Sequence, residues 1–230
     1  MEERQEDIRP MEHIGAILRR NTEGQDHYQT IILTPPICDY EQPLTLAQRI
    51  NVSDLGHTFA SFTPVPGVAA CVKALAELAE GISPVPFVVC FGGAGNGKTH
   101  LLEALVIRLN ERGLWCRYNT WAGLIGLLKR HLAKDSIPTY DATLTEICRA
   151  PRFVIDDVGM GATDTAWEMS QLETIIDYRY RYKLLTALTT NLDAKQLPPR
   201  VLSRLMDESV CMMCLNKGTD YRRLKKRGSL

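Results

Sequence analysis

The chain has 230 residues, 45% hydrophobic and 23% charged, which places it in the ordinary globular range and makes it long enough to bury one substantial α/β core. Lys plus Arg and Asp plus Glu both number 27, so no global basic excess marks a nucleic-acid binder, and any such role must rest on local patches. The first residues, Met1–Asp7, are polar and acidic, and no apolar run reaches the roughly 18 residues of a membrane span; a cytoplasmic protein with no membrane partner is expected.

Residues 1–55 mix charge, Pro35-Pro36 and short apolar runs without sustained periodicity. They are expected to form a partly ordered lead-in that a partner could engage, with the main domain spanning 56–230. Thr58–Phe62, followed by Pro64 and Pro66, reads as a docking segment, and Gly67–Gly81 carries apolar residues at helical spacing. Val85–Phe91 is a continuous apolar run of strand length, as in a strand buried on both faces of a parallel sheet. A glycine-rich loop follows at once, then a helix whose face is marked by Leu101, Leu102, Leu105, Val106 and Leu109 and which Gly113 ends.

Leu114–Tyr118 predicts a second strand, Trp121–Leu132 a helix, Phe153–Ile155 a third strand and Met169–Tyr180 another helix. Leu184–Thr189 predicts a fourth strand, Pro198-Pro199 opens a short helix through Met206, and Ser209–Leu215 is a fifth strand. Alternation at these lengths implies an α/β fold with a central parallel sheet of about five strands and helices on both faces. The seven cysteines (Cys38, Cys71, Cys90, Cys116, Cys148, Cys211, Cys214) are scattered and mostly sit in apolar runs, as reduced core thiols do. Cys211 and Cys214 have metal-like spacing, but with no second pair or nearby His they are read as core.

The loop Gly92-Gly93-Ala94-Gly95-Asn96-Gly97-Lys98-Thr99 fits the phosphate-loop pattern, with strand before and helix after. Its glycines let backbone N–H groups approach phosphate oxygens, Lys98 would bridge the β and γ phosphates of ATP, and Thr99 would place its hydroxyl on Mg²⁺. The third strand ends in Asp156 and Asp157. Asp156 is the candidate Mg²⁺-side carboxylate and Asp157 the residue that orients the attacking water; a solvated acidic turn is the competing reading. Asn191, after the fourth strand, lies where parallel strand ends gather beside a ligand and would hold the lytic water or a γ-phosphate oxygen, against a plain helix cap. Arg200 and Arg204 share a face of the short helix, as surface arginines do or as a residue reaching a neighbouring subunit's ATP would.

The series from Gly92 to His100, Val154–Gly159, Thr190–Leu192, Arg200–Leu205 and Asp220–Arg222 resembles the AAA+ helicase loaders of the DnaC type and the related IstB transposition helpers, over about Phe59 to Arg223. The resemblance implies an AAA+-type P-loop NTPase, a three-layer sandwich, and a slow ATPase stimulated by a partner or DNA. It further implies nucleotide contacts from His100 and Arg222, with Arg204 as an arginine finger acting in trans within a homo-oligomer. Lys129, Arg130 and Lys134 correspond to a region where initiator-like relatives contact single-stranded DNA; an amphipathic helix with a solvated basic side is the bland alternative. The leading expectation is a replication helper that assembles on single-stranded DNA or against a replicative helicase. Its alternative is a transposition helper acting with a transposase on duplex DNA. A small-molecule kinase is disfavoured because no acceptor pocket or arginine-rich lid is visible, and a binding-only switch is left open by Asp157 standing where AAA+ proteins often carry glutamate.

Overall fold

The computed structural model describes residues 14–20, 26–32, 45–133, 136–159, 166–218 and 220–221. The chain divides into two compact units, Met1–Leu44 and Thr45–Leu230. In the first, β1 (Ile14–Arg20) and β2 (Asp26–Ile32) pair antiparallel, Ile14 opposite Ile32 and Arg20 opposite Asp26; aperiodic composition gave no hint of these strands. The second unit starts at Thr45 rather than at 56 because α1 (Leu46–Ile50), opened by a Thr45–Gln48 capping box, and Val52 bury apolar side chains in its core.

The elements then follow as α2 (Ala69–Glu80), β3 (Phe87–Phe91), α3 (Lys98–Glu111), β4 (Arg117–Thr120), α4 (Trp121–Arg130), α5 (Tyr140–Arg149), β5 (Arg152–Val158), α6 (Ala166–Arg181), β6 (Leu185–Thr190), α7 (Pro199–Leu205) and β7 (Cys211–Leu215). The five later strands form one sheet in the order β4-β5-β6-β3-β7, every neighbouring pair parallel. Because β6 lies between β3 and β5, the loop after β3, the acids of β5 and Asn191 after β6 come out side by side on one edge.

Strand pleating sorts the core into two layers. Val88, Cys90, Val154, Ala187 and Cys214 pack toward α2 and α3, whereas Phe87, Val89, Phe153, Ile155, Leu188 and Cys211 pack toward α4–α7. The three-layer α/β/α sandwich is therefore confirmed. Cys211 and Cys214 stand three residues apart and so point into opposite layers, where no single ion can reach both. Both are free thiols, and burial pushes Cys211 up to about 12. No helix among the described residues is long and apolar enough to cross a membrane.

The helix α5 has no counterpart in the sequence reading; only Thr143, Ile147 and Cys148 of its ten residues are buried, too few for a clear stripe. What fixes it is Arg179, fully buried on α6. Its guanidinium donates to Ile147 O, Cys148 O and Ala150 O at the α5 C-terminus (3.4, 3.1 and 2.7 Å), and to Leu185 O and Thr186 Oγ1 at the start of β6 (2.6 and 2.9 Å). Removing it strands several buried carbonyls. Arg179→Met is expected to lower the unfolding free energy by on the order of 3 kcal/mol, read as a reduced guanidinium midpoint at unchanged slope; a midpoint equal to the parent's would show those carbonyls to be satisfied otherwise.

Candidate functional site

The site is built from the loop between β3 and α3. Gly92 and Gly95 take left-handed φ values of 147° and 75°. A Cβ on Gly92 would lie 2.2 Å from Asn216 O, and one on Gly95 2.0 Å from Asp220 Oδ1. These glycines are thus demanded by packing against the chain segment after β7 as well as by any approach of phosphate. No side chain among the described residues caps the α3 N-terminus, so its backbone N–H groups are available to an anion. Lys98 is 5% exposed, and its ammonium donates to Gly92 O (2.9 Å), Gly93 O (2.6 Å), Asn96 Oδ1 (3.1 Å) and Asn191 Oδ1 (2.7 Å). Burial pushes it below the ordinary lysine value, with the charges of Asp157 and Asp156 pulling the other way.

The two acids lie within β5, at a register shift against β6. Ile155 pairs with Leu188 and Val158 with Thr190, so Asp156 and Asp157 together face Thr189 alone. Thr189 serves both: its hydroxyl donates to Asp156 Oδ1 and accepts from the Asp157 backbone N–H (2.9 Å). Tyr118 Oη donates to Asp156 Oδ2 at 3.4 Å, and burial, reinforced by the Asp156 charge, pushes that phenol well above its ordinary value. Asp156 is thereby buried and held by two hydroxyls, while Asp157, at φ 55°, borders the open site. Such a left-handed non-glycine residue inside a strand stores backbone strain, which concentrates at functional positions.

The loop floors a cavity of about 630 Å³ that also touches Asp157, Asn191, His57, Phe62, His100 and Tyr221. The aromatic side is continuous. The His57 and His100 rings stack at 4.4 Å, Phe62 meets His100 edge-on at 5.1 Å, and Tyr221 meets Phe62 at 5.8 Å. Sequence reading missed His57 and did not place Phe62 of the docking segment or Tyr221 of the Asp220–Arg222 series at this site, because they reach the loop only through contacts between distant parts of the chain. A hint lay in Glu103, a carboxylate on the buried face of α3. It accepts from Ser53 N (2.8 Å) and Ser53 Oγ (3.0 Å) and contacts His57 Nδ1 (2.6 Å), so it anchors residues 53–57 beside the cavity. Thr58–Phe62 is accordingly a wall of the site.

His100 points its Nε2 at Thr58 O (2.9 Å), into this wall and not at the loop. Thr99 and Asp157 also border a second cavity, of similar volume, with Asp156 and Arg130 on its rim. A Thr hydroxyl beside carboxylates is a hard-oxygen donor set that suits Mg²⁺, an ion that completes its shell with water and phosphate. No group of three or more His, Cys, Asp or Glu that could cage an ion occurs among the described residues.

The remaining candidates lie elsewhere. Arg204 pairs with Asp177, donates to Arg200 O (2.9 Å) and sits over the Tyr180 ring at 5.7 Å, so α7 holds it against α6 and it does not border the cavity. Its Nε is buried without a hydrogen-bond partner among the described residues. Lys129 is bound to Glu168 (2.7 Å), which removes part of the free positive charge expected on α4, while Arg130 is exposed. Lys134 and Arg222 lie outside the described residues.

A glycine-rich loop between strand and helix, an acid pair two strands away and a polar strand end between them give the chain the fold of a P-loop NTPase of the AAA+ type. Solved structures bear out the fold. The DnaC helicase loader matches with a TM-score of 0.60 at 20% identity, over 70% of this chain and 97% of that one. Replication initiator DnaA bound to AMPPCP and single-stranded DNA matches with 0.62 at 17%, over 75% and 55%. Within that class, the chain belongs to the IstB-like ATP-binding protein family, whose pattern it matches over residues 49–215. The replicative helicase loader DnaC of Buchnera aphidicola subsp. Acyrthosiphon pisum is 28% identical over 116 residues, 50% of this chain and 47% of that protein. The chain spans less than half the length of the curated relatives it matches.

Burial also pushes the His100 imidazole below its ordinary 6.5, so the folded wall favours the neutral ring. The linkage sign follows: stability is complete above the unfolded-state value and is lost as pH falls from about 6.5 toward the folded-state value. His100→Gln, which retains a donor for Thr58, is expected to flatten the decline of the thermal midpoint over that window. Parallel curves for variant and parent would place the decline at other groups.

Proposed function

We infer that the chain binds ATP with Mg²⁺ and hydrolyses it slowly, using the cycle to control assembly on DNA. The observation that carries this reading is the convergence of Lys98, Asn191, Asp156 and Asp157 on one sheet edge through the Lys98–Asn191 bond and the shared Thr189 hydroxyl. In the free site Lys98 is solvated by loop carbonyls and Asn191; polyphosphate oxygens replace these neutral partners with charged ones. Thr99 and Asp156 would hold Mg²⁺, which supplies charge neutralisation at the phosphates when bound. Asp157, set at the cavity edge by the bulge, orients water for attack, and Asn191 fixes either that water or a γ-phosphate oxygen. The His57–His100 stack beside the loop, its ring planes 30° apart, offers a ring surface to a nucleobase.

Arg204 acts on the ATP of a neighbouring copy, leaving Asp177 to do so, and Arg222 contacts nucleotide in its own subunit. Assembly is on single-stranded DNA or against a replicative helicase, a reading supported by the likeness to a helicase loader and to an initiator solved with single-stranded DNA. Arg130 and Lys134 are the better DNA candidates, since Lys129 is committed to Glu168. A second reading, a helper that acts with a transposase on duplex DNA, is favoured by the family match itself.

Lys98→Ala is expected to abolish ATP binding, and tight binding by that variant would remove the phosphate-loop assignment. Asp157→Asn should bind ATP normally yet turn over at least about 100-fold more slowly. Arg204→Ala should likewise spare binding but lower oligomer-dependent turnover by about 1000-fold; unchanged turnover would leave Arg204 a structural partner of Asp177. ATPase rate and assembly state measured with single-stranded and with duplex DNA separate the two readings: stimulation by single strands alone supports the loader, and stimulation by duplex alone the transposition helper.

A further inference from the structure

The phosphate loop carries glycine at four of its first six positions, 92, 93, 95 and 97, a composition that leaves an unsupported backbone free to sample many conformations. In this structure it is not unsupported. The chain leaving β7 runs along it, and Asn216, 2% exposed, uses every polar atom it has. Its backbone N–H donates to Phe91 O (2.7 Å), extending the β3–β7 ladder to the start of the loop. Its side-chain Oδ1 accepts from Gly218 N (3.0 Å), which shapes the turn that carries the chain onward. Its remaining two groups form a reciprocal pair with Asn96: Asn216 Nδ2 donates to Asn96 O, and Asn96 Nδ2 donates to Asn216 O, each at 3.1 Å.

Asn96 is 1% exposed, and its one remaining side-chain group, Oδ1, accepts from Lys98 Nζ at 3.1 Å. An unbroken line of hydrogen bonds thus runs from the end of β3 through Asn216 and Asn96 to the ammonium that meets phosphate. Two further contacts press the same segment on the loop: Asn216 O lies where a Gly92 Cβ would be, and Tyr221 N donates to Gly95 O at 2.9 Å. Asn216 itself does not border the cavity, so it acts through Asn96 and not on a ligand.

We propose that Asn216 is a positioning residue for the phosphate loop, clasping Asn96 so that the loop and Lys98 stand in their phosphate-binding arrangement before nucleotide arrives. The proposal rests on the reading of this loop as the ATP site. Pre-ordering lowers the conformational cost of binding, so it strengthens affinity for ATP and leaves the chemical step alone. The amide is specific to the task. A carboxylate at 216 could not donate to Asn96 O, alanine would leave both Asn96 O and Gly218 N unsatisfied, and a glutamine, one methylene longer, would carry its amide away from the positions that meet both partners.

The test measures equilibrium binding of Mg–ATP to the full chain by calorimetry, with steady-state hydrolysis, for the parent, Asn216→Ala, Asn216→Ser, Asn96→Ala and the Asn96→Ala/Asn216→Ala double variant. Lys98→Ala is the reference for a lost site. Asn216→Ala should weaken ATP binding about tenfold, with kcat at saturating ATP within about twofold of the parent. The double variant should bind no more weakly than the worse single one, because both cut the same line. Asn216→Ser keeps a short acceptor for Gly218 N but cannot reach Asn96 O, and it should reproduce the affinity loss if the alanine variant does not fold. Parental affinity in a folded Asn216 variant, or strictly additive losses, overturns the proposal. A parent that binds no ATP would instead overturn the reading of the site.

Discussion

A buried ammonium has to be surrounded by oxygen, and much of this architecture follows from where those oxygens come from. Lys98 draws them from the carbonyls of Gly92 and Gly93, from Asn96 and from Asn191. The first three are delivered by a loop that must curl back over the first turn of α3. The fourth arrives only because β6 runs between β3 and β5 and ends level with the loop. None of these four hydrogen-bond partners carries a formal charge, while Asp157 and Asp156 favour the cation by their charge, and a polyanion gains by replacing the neutral oxygens. Strand order, loop curvature and the asparagine that follows β6 are in this sense one requirement met three times.

The features legible in the sequence are those encoded locally. Continuous apolar runs announced β3, β5 and β6, glycine spacing announced the loop, and Asp156, Asp157 and Asn191 stood out because each closes such a run. The site's second wall was legible only in fragments: Thr58–Phe62 read as a docking segment and Tyr221 fell within a family-like series, but the contacts that join His57, Phe62 and Tyr221 to His100 and to each other are tertiary. Buried charge also escaped detection. Glu103 and Arg179 lie on helices where charge reads as solvent-facing, yet both are almost wholly enclosed and act as organising centres, Glu103 for residues 53–57 and Arg179 for the α5 C-terminus. Propensity and periodicity describe one element at a time, and these residues matter for what they join.

The arginine on α7 illustrates the same limit. Spacing placed Arg204 on a helix face, and family likeness suggested a role across a subunit boundary; in the fold Asp177 and Tyr180 already engage it. Any partner that recruits Arg204 must offer more than Asp177 does, which makes the ion pair a threshold for engagement.

The irregularity in β5 reaches past the two acids themselves. Ahead of it, odd-numbered Phe153 and Ile155 face the α4–α7 layer and even-numbered Val154 the other; beyond it, even-numbered Val158 faces the α4–α7 layer too. The extra residue has reversed the parity of the strand. A chain lacking Asp157 would revert to a regular ladder with every apolar side chain still on its present face. The second acid is therefore an extra residue that the two apolar layers do not require: the ladder absorbs it as a bulge, and its cost is confined to the left-handed backbone of Asp157 itself.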